Sequence, residues 1–184
     1  ARQALSELGD RLEDDQLADV LPYAQAVFKR TGYRKDLRAL KRYAKRAGRL
    51  DVLDGVDDAL RRHLPDIWIK QTLSRGDHDA AVACWYEYED HRRARHCADA
   101  LVEACGDDDP ELIVSCRMSQ ANYRIGRKSR RHYRRACAIL RRLKDELEEA
   151  GGADYWPYVV EDITTRFDNR PALLDELEKA GFLG

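Results

Sequence analysis

No uninterrupted apolar run of the ~18 residues needed for a membrane span occurs in this chain of 184 residues. With 36% charged residues and a mean hydropathy of −0.70, it reads as soluble and without a membrane partner. No secretory leader is expected in the first thirty residues, where Asp10, Glu13, Asp14, Asp15 and Asp19 stand in place of an apolar segment. The five cysteines (Cys84, Cys97, Cys105, Cys116 and Cys137) are odd in number and contain no Cys-x-x-Cys pair, which argues against a disulfide framework. Most fall inside apolar-periodic stretches and read as reduced, buried thiols of a cytoplasmic protein. No stretch shows convincing strand alternation, and no Gly/Pro/Ser-rich linker divides the chain. The chain begins at Ala1 rather than Met, as a region excised from a longer protein would.

Catalytic signatures are absent as well. There is no Gly-x-Ser-x-Gly, no His-Glu-x-x-His and no glycine-rich dinucleotide turn. Gly126-Arg127-Lys128-Ser129 lacks the residue order and the preceding strand of a phosphate loop. The five histidines are scattered, and none has a nucleophile at helical spacing with an acid behind it. Cys84, His91, His96, Cys97 and Cys105 form the densest Cys/His stretch, but the thiols lie on an apolar stripe and read as core rather than as metal ligands. In Glu87-Tyr88-Glu89-Asp90-His91 the residue three before the histidine is a tyrosine, so the Glu-x-x-His of di-iron bundles is missing. The expectation is a non-enzymatic chain without cofactor or metal.

What is present is helical periodicity. Leu17, Val20, Leu21, Ala24, Val27 and Phe28 follow the i, i+3, i+4, i+7 rhythm up to Gly32, with Pro22 either kinking that helix or marking a first turn. Leu37, Leu40, Tyr43, Ala44 and Ala47 share a face before Gly48, and Leu53, Val56 and Leu60 follow before Pro65. Asp66 and Asp77 are placed to cap the next two helices, the second carrying Val82, Trp85 and Tyr86. Ala94, Cys97, Ala98, Leu101 and Cys105 predict one further helix, and Asp109 with Pro110 opens another through Cys116 and Tyr123. A long helix with Tyr133, Ala136, Leu140, Leu143 and Leu147 ends at Gly151-Gly152. Asp154 is expected to cap the next one, and Asn169-Pro171 to start the last.

Ten or eleven helices joined by two to five polar residues predict an all-α chain with antiparallel neighbours. Glycines at positions 32, 76 and 126, spaced 44 and 50 residues apart, are too irregular for a strict 34-residue repeat. The expected architecture is an irregular tetratricopeptide-like solenoid or a right-angled helical bundle. A single domain over 1–184 is expected, with division into two sub-arrays, about 1–75 and 76–184, as the alternative. The 43% hydrophobic content suffices for one packed core, which in a chain of this length buries roughly 70% of the unfolded surface.

Net charge is nearly absent too, with 33 Lys and Arg against 34 Asp and Glu, yet the signs are segregated. On a helical wheel Arg127, Arg130, Arg131, Arg134, Arg135, Arg141 and Arg142 fall within an arc of roughly 140°. Basic residues start that helix and Asp145, Glu146, Glu148 and Glu149 end it, against the macrodipole. Something must offset this. Asp107, Asp108, Asp109 and Glu111 are the expected acidic neighbours, and an anionic partner is the functional alternative. A second basic face carries Arg34, Arg38, Lys41, Arg42, Lys45, Arg46 and Arg49, and Arg92, Arg93 and Arg95 make a third cluster. The 25 arginines to 8 lysines suit bidentate contacts to carboxylate or phosphate. Among the aromatics, Trp68, Trp85 and Trp156 fit the apolar stripes, whereas Tyr86 and Tyr88 have charged neighbours and could line a binding face.

The last third resembles a known family. His132-Tyr133-Arg134-Arg135-Ala136-Cys137-Ala138-Ile139-Leu140, Leu143-Lys144-Asp145, Tyr155-Trp156-Pro157-Tyr158, Arg166 and Asn169-Arg170-Pro171-Ala172-Leu173-Leu174-Asp175-Glu176-Leu177 resemble the C-terminal helical-repeat region of SWIM zinc-finger proteins over about residues 123–184. The resemblance implies a tetratricopeptide-like scaffold with nucleic-acid or protein binding. The family's zinc module needs Cys-x-Cys, which occurs nowhere here, so no zinc ligand carries over. The residues and the resemblance together lead to an interaction module that holds a protein partner through a basic and aromatic face. Arg38, Arg42, Lys45, Arg127, Arg131 and Arg134 would face the anion, with Tyr86 and Tyr88 as anchors. Nucleic-acid binding through the same arginine stripes is the alternative.

Overall fold

The structure, a computed structural model, describes residues 12–89 and 91–183. Asp10 and Asp90, noted above, lie outside the described residues. Among those described there are ten α-helices, three 3₁₀ segments and no strand, so the chain is all-α. None of these helices is long and apolar enough to cross a membrane. The chain divides into two compact units, Ala1–Gln71 and Thr72–Gly184.

The first unit holds α1 (Asp14–Thr31), α2 (Arg34–Arg46), a 3₁₀ segment (Leu50–Val56), α3 (Asp57–His63) and most of α4 (Pro65–Ser74). A reciprocal box starts α1: the Glu13 side chain accepts from the backbone at Gln16, whose own side chain accepts from the Glu13 N–H at 3.1 Å. Pro22 therefore sits in the helix interior rather than in a first turn. Gly32 ends α1 at φ +62°, and a Cβ there would overlap the His63 ring, so both backbone and packing demand glycine. Leu17, Leu21 and Phe28 of α1, Leu37, Leu40 and Tyr43 of α2, and Leu60 with Leu64 form one buried cluster. Asp66 is not a cap. Pro65 takes the first helical position, and Asp66, buried in that first turn, pairs with Arg34.

The second unit contains α5 (His78–Tyr88), a 3₁₀ turn (Ala94–His96), α6 (Ala98–Cys105), α7 (Pro110–Ile125), α8 (Arg130–Glu149), a 3₁₀ turn (Ala153–Tyr155), α9 (Trp156–Arg166) and α10 (Pro171–Lys179). The expected caps Asp77 and Asp109 are in place, accepting from the N–H groups of Ala80 at 3.2 Å and Leu112 at 2.9 Å. Three expectations need correction. The helix predicted from Ala94 to Cys105 is broken at Cys97, whose N–H bonds back three residues to the Ala94 carbonyl, so a 3₁₀ turn precedes α6. Asp154 lies inside the next 3₁₀ turn, and Tyr155, not Asp154, takes the cap position of α9. Arg170 rather than Asn169 precedes the first residue of α10.

The hairpin of α7 and α8 is the centre of this unit, joined through Gly126–Ser129. Leu112, Cys116 and Ile125 face Tyr133, Leu140, Leu143 and Leu147 from the buried side of each helix. Trp85 is fully buried, and its Nε1–H donates to Ser115 Oγ at 2.8 Å, which donates on to Glu89 at 2.7 Å. Trp156 is half-buried and meets Phe182 edge-on at 5.1 Å between ring centroids. Four cysteines are buried and Cys105 is half-buried, all with free thiols. Burial pushes the Cys116 thiol up, and that of Cys137 to about 11.

Candidate anion-binding site

Arg127 and Lys128 are not on a helix. They lie in the turn before α8, where Lys128 adopts φ +53°, so the wheel that aligned Arg127 with the α8 arginines does not extend that far. Within α8 much of the stripe is paired. Arg130 bonds Asp175 and, at 3.0 Å, Glu176; Arg134 reaches Glu176 at 3.6 Å. Arg142 holds Glu146 at 2.9 Å and Asp99 at 3.3 Å. The offsetting acids thus come from α10 and α6, not from Asp107, Asp108, Asp109 or Glu111. Of that group, Asp109 caps α7 and Glu111 accepts from the Tyr155 hydroxyl at 3.1 Å. Arg131 is exposed on the same helix.

Arg38, Arg42 and Lys45 are exposed on α2 in the first unit, with the Arg42 guanidinium 5.3 Å from the Tyr43 ring. Their neighbours Arg46 and Arg49 pair with Asp14 and Asp51, both at 2.8 Å. Tyr86 is 44% exposed on α5, and burial, with Asp109 adding to it, pushes its hydroxyl up to about 12. That is an acidic setting, unlike the arginine face it was grouped with. Tyr88 is half-buried on the same helix.

The residues the structure does bring together centre on Tyr123, near the end of α7. The guanidinium of Arg95, from the 3₁₀ turn, lies 3.8 Å from its ring centroid, that of Arg127 4.9 Å and that of Arg124 5.6 Å. Arg127 Nη2 also donates to the Tyr123 hydroxyl at 2.5 Å, and this bond lowers the pKa of the phenol. Arg95 is shifted down from its ordinary value. Burial is the largest cause, and Arg127, Arg92 and Arg124 push the same way, opposed by Tyr123. None of Arg95, Arg124 and Arg127 has an ion pair with a carboxylate among the described residues, whereas Arg117, Arg130, Arg134, Arg142 and Arg166 each have one. The same field reaches the start of α8: His132 is lowered, by burial first, then by Arg135, Arg124, Arg127 and Arg131.

A groove of about 400 Å³ opens beside this cluster, lined by Arg95, His96, Arg124 and Arg142 with Asp99, Gln120, Tyr123 and Ile139. Its one carboxylate is already engaged. Asp99 accepts from Arg117 at 2.6 Å, Arg142 at 3.3 Å and Gln120 at 3.4 Å. A second groove of about 390 Å³ shares Asp99 and Arg142 with the first, but its other charged residues are Glu103, Asp107, Glu146 and Glu149. Two grooves of opposite sign therefore adjoin along one edge.

Beneath that edge lies a group the sequence reading missed. Arg117 of α7 has no exposed surface and holds Glu146 through two bonds of 2.7 Å, with Asp99 and Gln120 on its Nη1 at 2.6 and 3.2 Å. Burial lowers its pKa and the paired carboxylates more than compensate, so the net shift is upward. The signal was available in outline: Arg117 sits four residues from Ile113 and from Ala121, both on the buried face of α7. Arg95 carries no such signal, because its partner is twenty-eight residues away and meets it only through the packing of the 3₁₀ turn on α7.

Among the described residues no group of three or more His, Cys, Asp or Glu could hold a metal ion. Comparison with family models, with curated proteins and with solved structures finds no match.

Proposed function

We propose that the chain is a non-enzymatic helical interaction module, and that its second unit binds an anionic segment of a protein partner in the groove beside Tyr123. The observation that carries this is the set of three guanidiniums gathered on one tyrosine ring, none of which has an ion pair with a carboxylate among the described residues. Arginines that serve only to hold helices together are satisfied by acidic neighbours, as Arg130, Arg134 and Arg142 of α8 are. Arg95 instead bears burial and mutual repulsion, which an arriving anion relieves. The five free thiols suit the cytoplasm, and the likeness of residues 123–184 to the helical region of SWIM zinc-finger proteins fits an interaction scaffold.

The test is capture of partners by the full chain and by an Arg95→Gln/Arg124→Gln variant, with Arg38→Gln/Lys45→Gln as the control. Loss of a defined protein in the first variant alone is the expected result; equal capture by all three would remove the Tyr123 groove from consideration. Nucleic-acid binding is the second reading, favoured by the exposed Arg38, Arg42 and Lys45 on α2. It requires an affinity that falls steeply with salt and is lost in the control variant.

A further inference from the structure

Among the residues lining the basic groove, Arg95, Arg124 and Arg142 stand against the single carboxylate of Asp99, an excess of two positive side chains, with Arg142 also held from outside the lining by Glu146 at 2.9 Å. The one acid is taken up by Arg117, Arg142 and Gln120 and has little left to offer a ligand's counter-charge. A side-chain carboxylate brings one negative charge and leaves the groove positive. A phosphate monoester brings about −1.5 to −2 at neutral pH and three strong acceptor oxygens, and planar guanidinium forks match its geometry. Charge and donor chemistry both select the phosphoryl group.

The adjoining groove decides what carries it. Glu103, Asp107, Glu146 and Glu149 line the space that continues past Asp99 and Arg142. A nucleic-acid backbone leaving the basic groove on that side would set its next phosphates against these carboxylates, an arrangement of like charges that is unfavourable at short range. A polypeptide carries a single phosphoryl group and can follow it with lysine or arginine. Resting on the anion-binding reading above, we infer that the groove takes a phosphorylated side chain of a protein partner, with basic residues beside it in that partner.

Arrayed peptides with a fixed central phosphoserine, glutamate or serine and with basic, neutral or acidic flanks, together with a single-stranded RNA, test this on the full chain. Phosphoserine peptides with basic flanks are expected to bind at least about tenfold more tightly than their glutamate counterparts, with acidic flanks weakest and RNA weaker still. The Arg95→Gln/Arg124→Gln variant should lose that preference. Glutamate peptides binding as well as phosphoserine ones would overturn the phosphoryl assignment and leave the anionic-partner reading standing. Binding by no peptide would overturn both, and RNA binding more tightly than any peptide would replace the partner class. Should the double variant fail to fold, NMR on the wild-type chain gives the same decision. Shifts of the Arg95 and Arg124 Nε–H signals on adding the phosphoserine peptide support the site, and shifts confined to other arginines refute it.

Discussion

A guanidinium with no accessible surface is held in the second unit by two carboxylates on two other helices. Arg117 ties α7 to Glu146 of α8 and to Asp99 of α6, so three helices meet at one cation. Removing one partner of such a pair strands the other. Arg117→Ala should therefore destabilise the unit by about 3 kcal/mol, a fall in melting temperature of roughly 6–12 °C at this chain length. Arg117→Met, which fills the space without the charge, should cost less; thermal unfolding followed by circular dichroism separates the two. His132 makes the complementary case at the surface. Its imidazolium is disfavoured by burial and by Arg135, so its folded-state pKa lies below the ordinary value near 6.5. The stability it contributes is present above that value and is lost as pH falls through the lowered one. NMR titration should place its midpoint below that of a free histidine, and Arg135→Gln should raise it part of the way, because burial is the larger cause.

At the scale of elements, α8 begins with Arg130, Arg131, Arg134 and Arg135 and has no acid in its first turn, the wrong sign for a helix N-terminus. The correction is tertiary. Asp175 and Glu176 of α10 are brought against Arg130, and Glu176 against Arg134, while Leu173 and Leu177 seat the same helix. Glu176 is 8% exposed, so Glu176→Gln should cost on the order of 1–2 kcal/mol and expose the C-terminal helix to earlier cleavage in limited proteolysis. Sequence could show that α8 needed an offset but not its source, since α10 lies some forty-five residues away. Local signals were legible where the chemistry is local. Asp77, the Asp109-Pro110 pair and Gly32 each act within one turn, and the structure places them as periodicity and capping predict. Asp66 and Asp154 look identical as cap candidates, but Pro65 already opens α4 one residue before Asp66, and Asp154 is taken up in the 3₁₀ turn Ala153–Tyr155, for backbone reasons. Of the candidate site, Arg127 and Arg95 were visible as members of two separate basic clusters and Tyr123 as a helix residue; their meeting was not, because what joins them is packing and not spacing.

At the scale of the whole molecule, a net charge of −1 leaves little long-range attraction for a polyanion. Binding to random duplex DNA at about 150 mM salt is therefore expected to be weaker than the ~10⁻⁴–10⁻⁶ M common for non-specific DNA binders, checked by gel shift across a salt series. The all-α class was readable from composition and periodicity because helices of this length announce themselves every three or four residues. The two adjoining grooves have one further consequence. Positive and negative walls that meet at Asp99 and Arg142 make a local electric dipole lying along the surface. A zwitterionic segment diffusing within about 8–10 Å, the reach of charge in physiological salt, feels a torque as well as an attraction. The field at this edge therefore favours one orientation of such a segment over its reverse, and the direction of a bound chain is biased before contact is made.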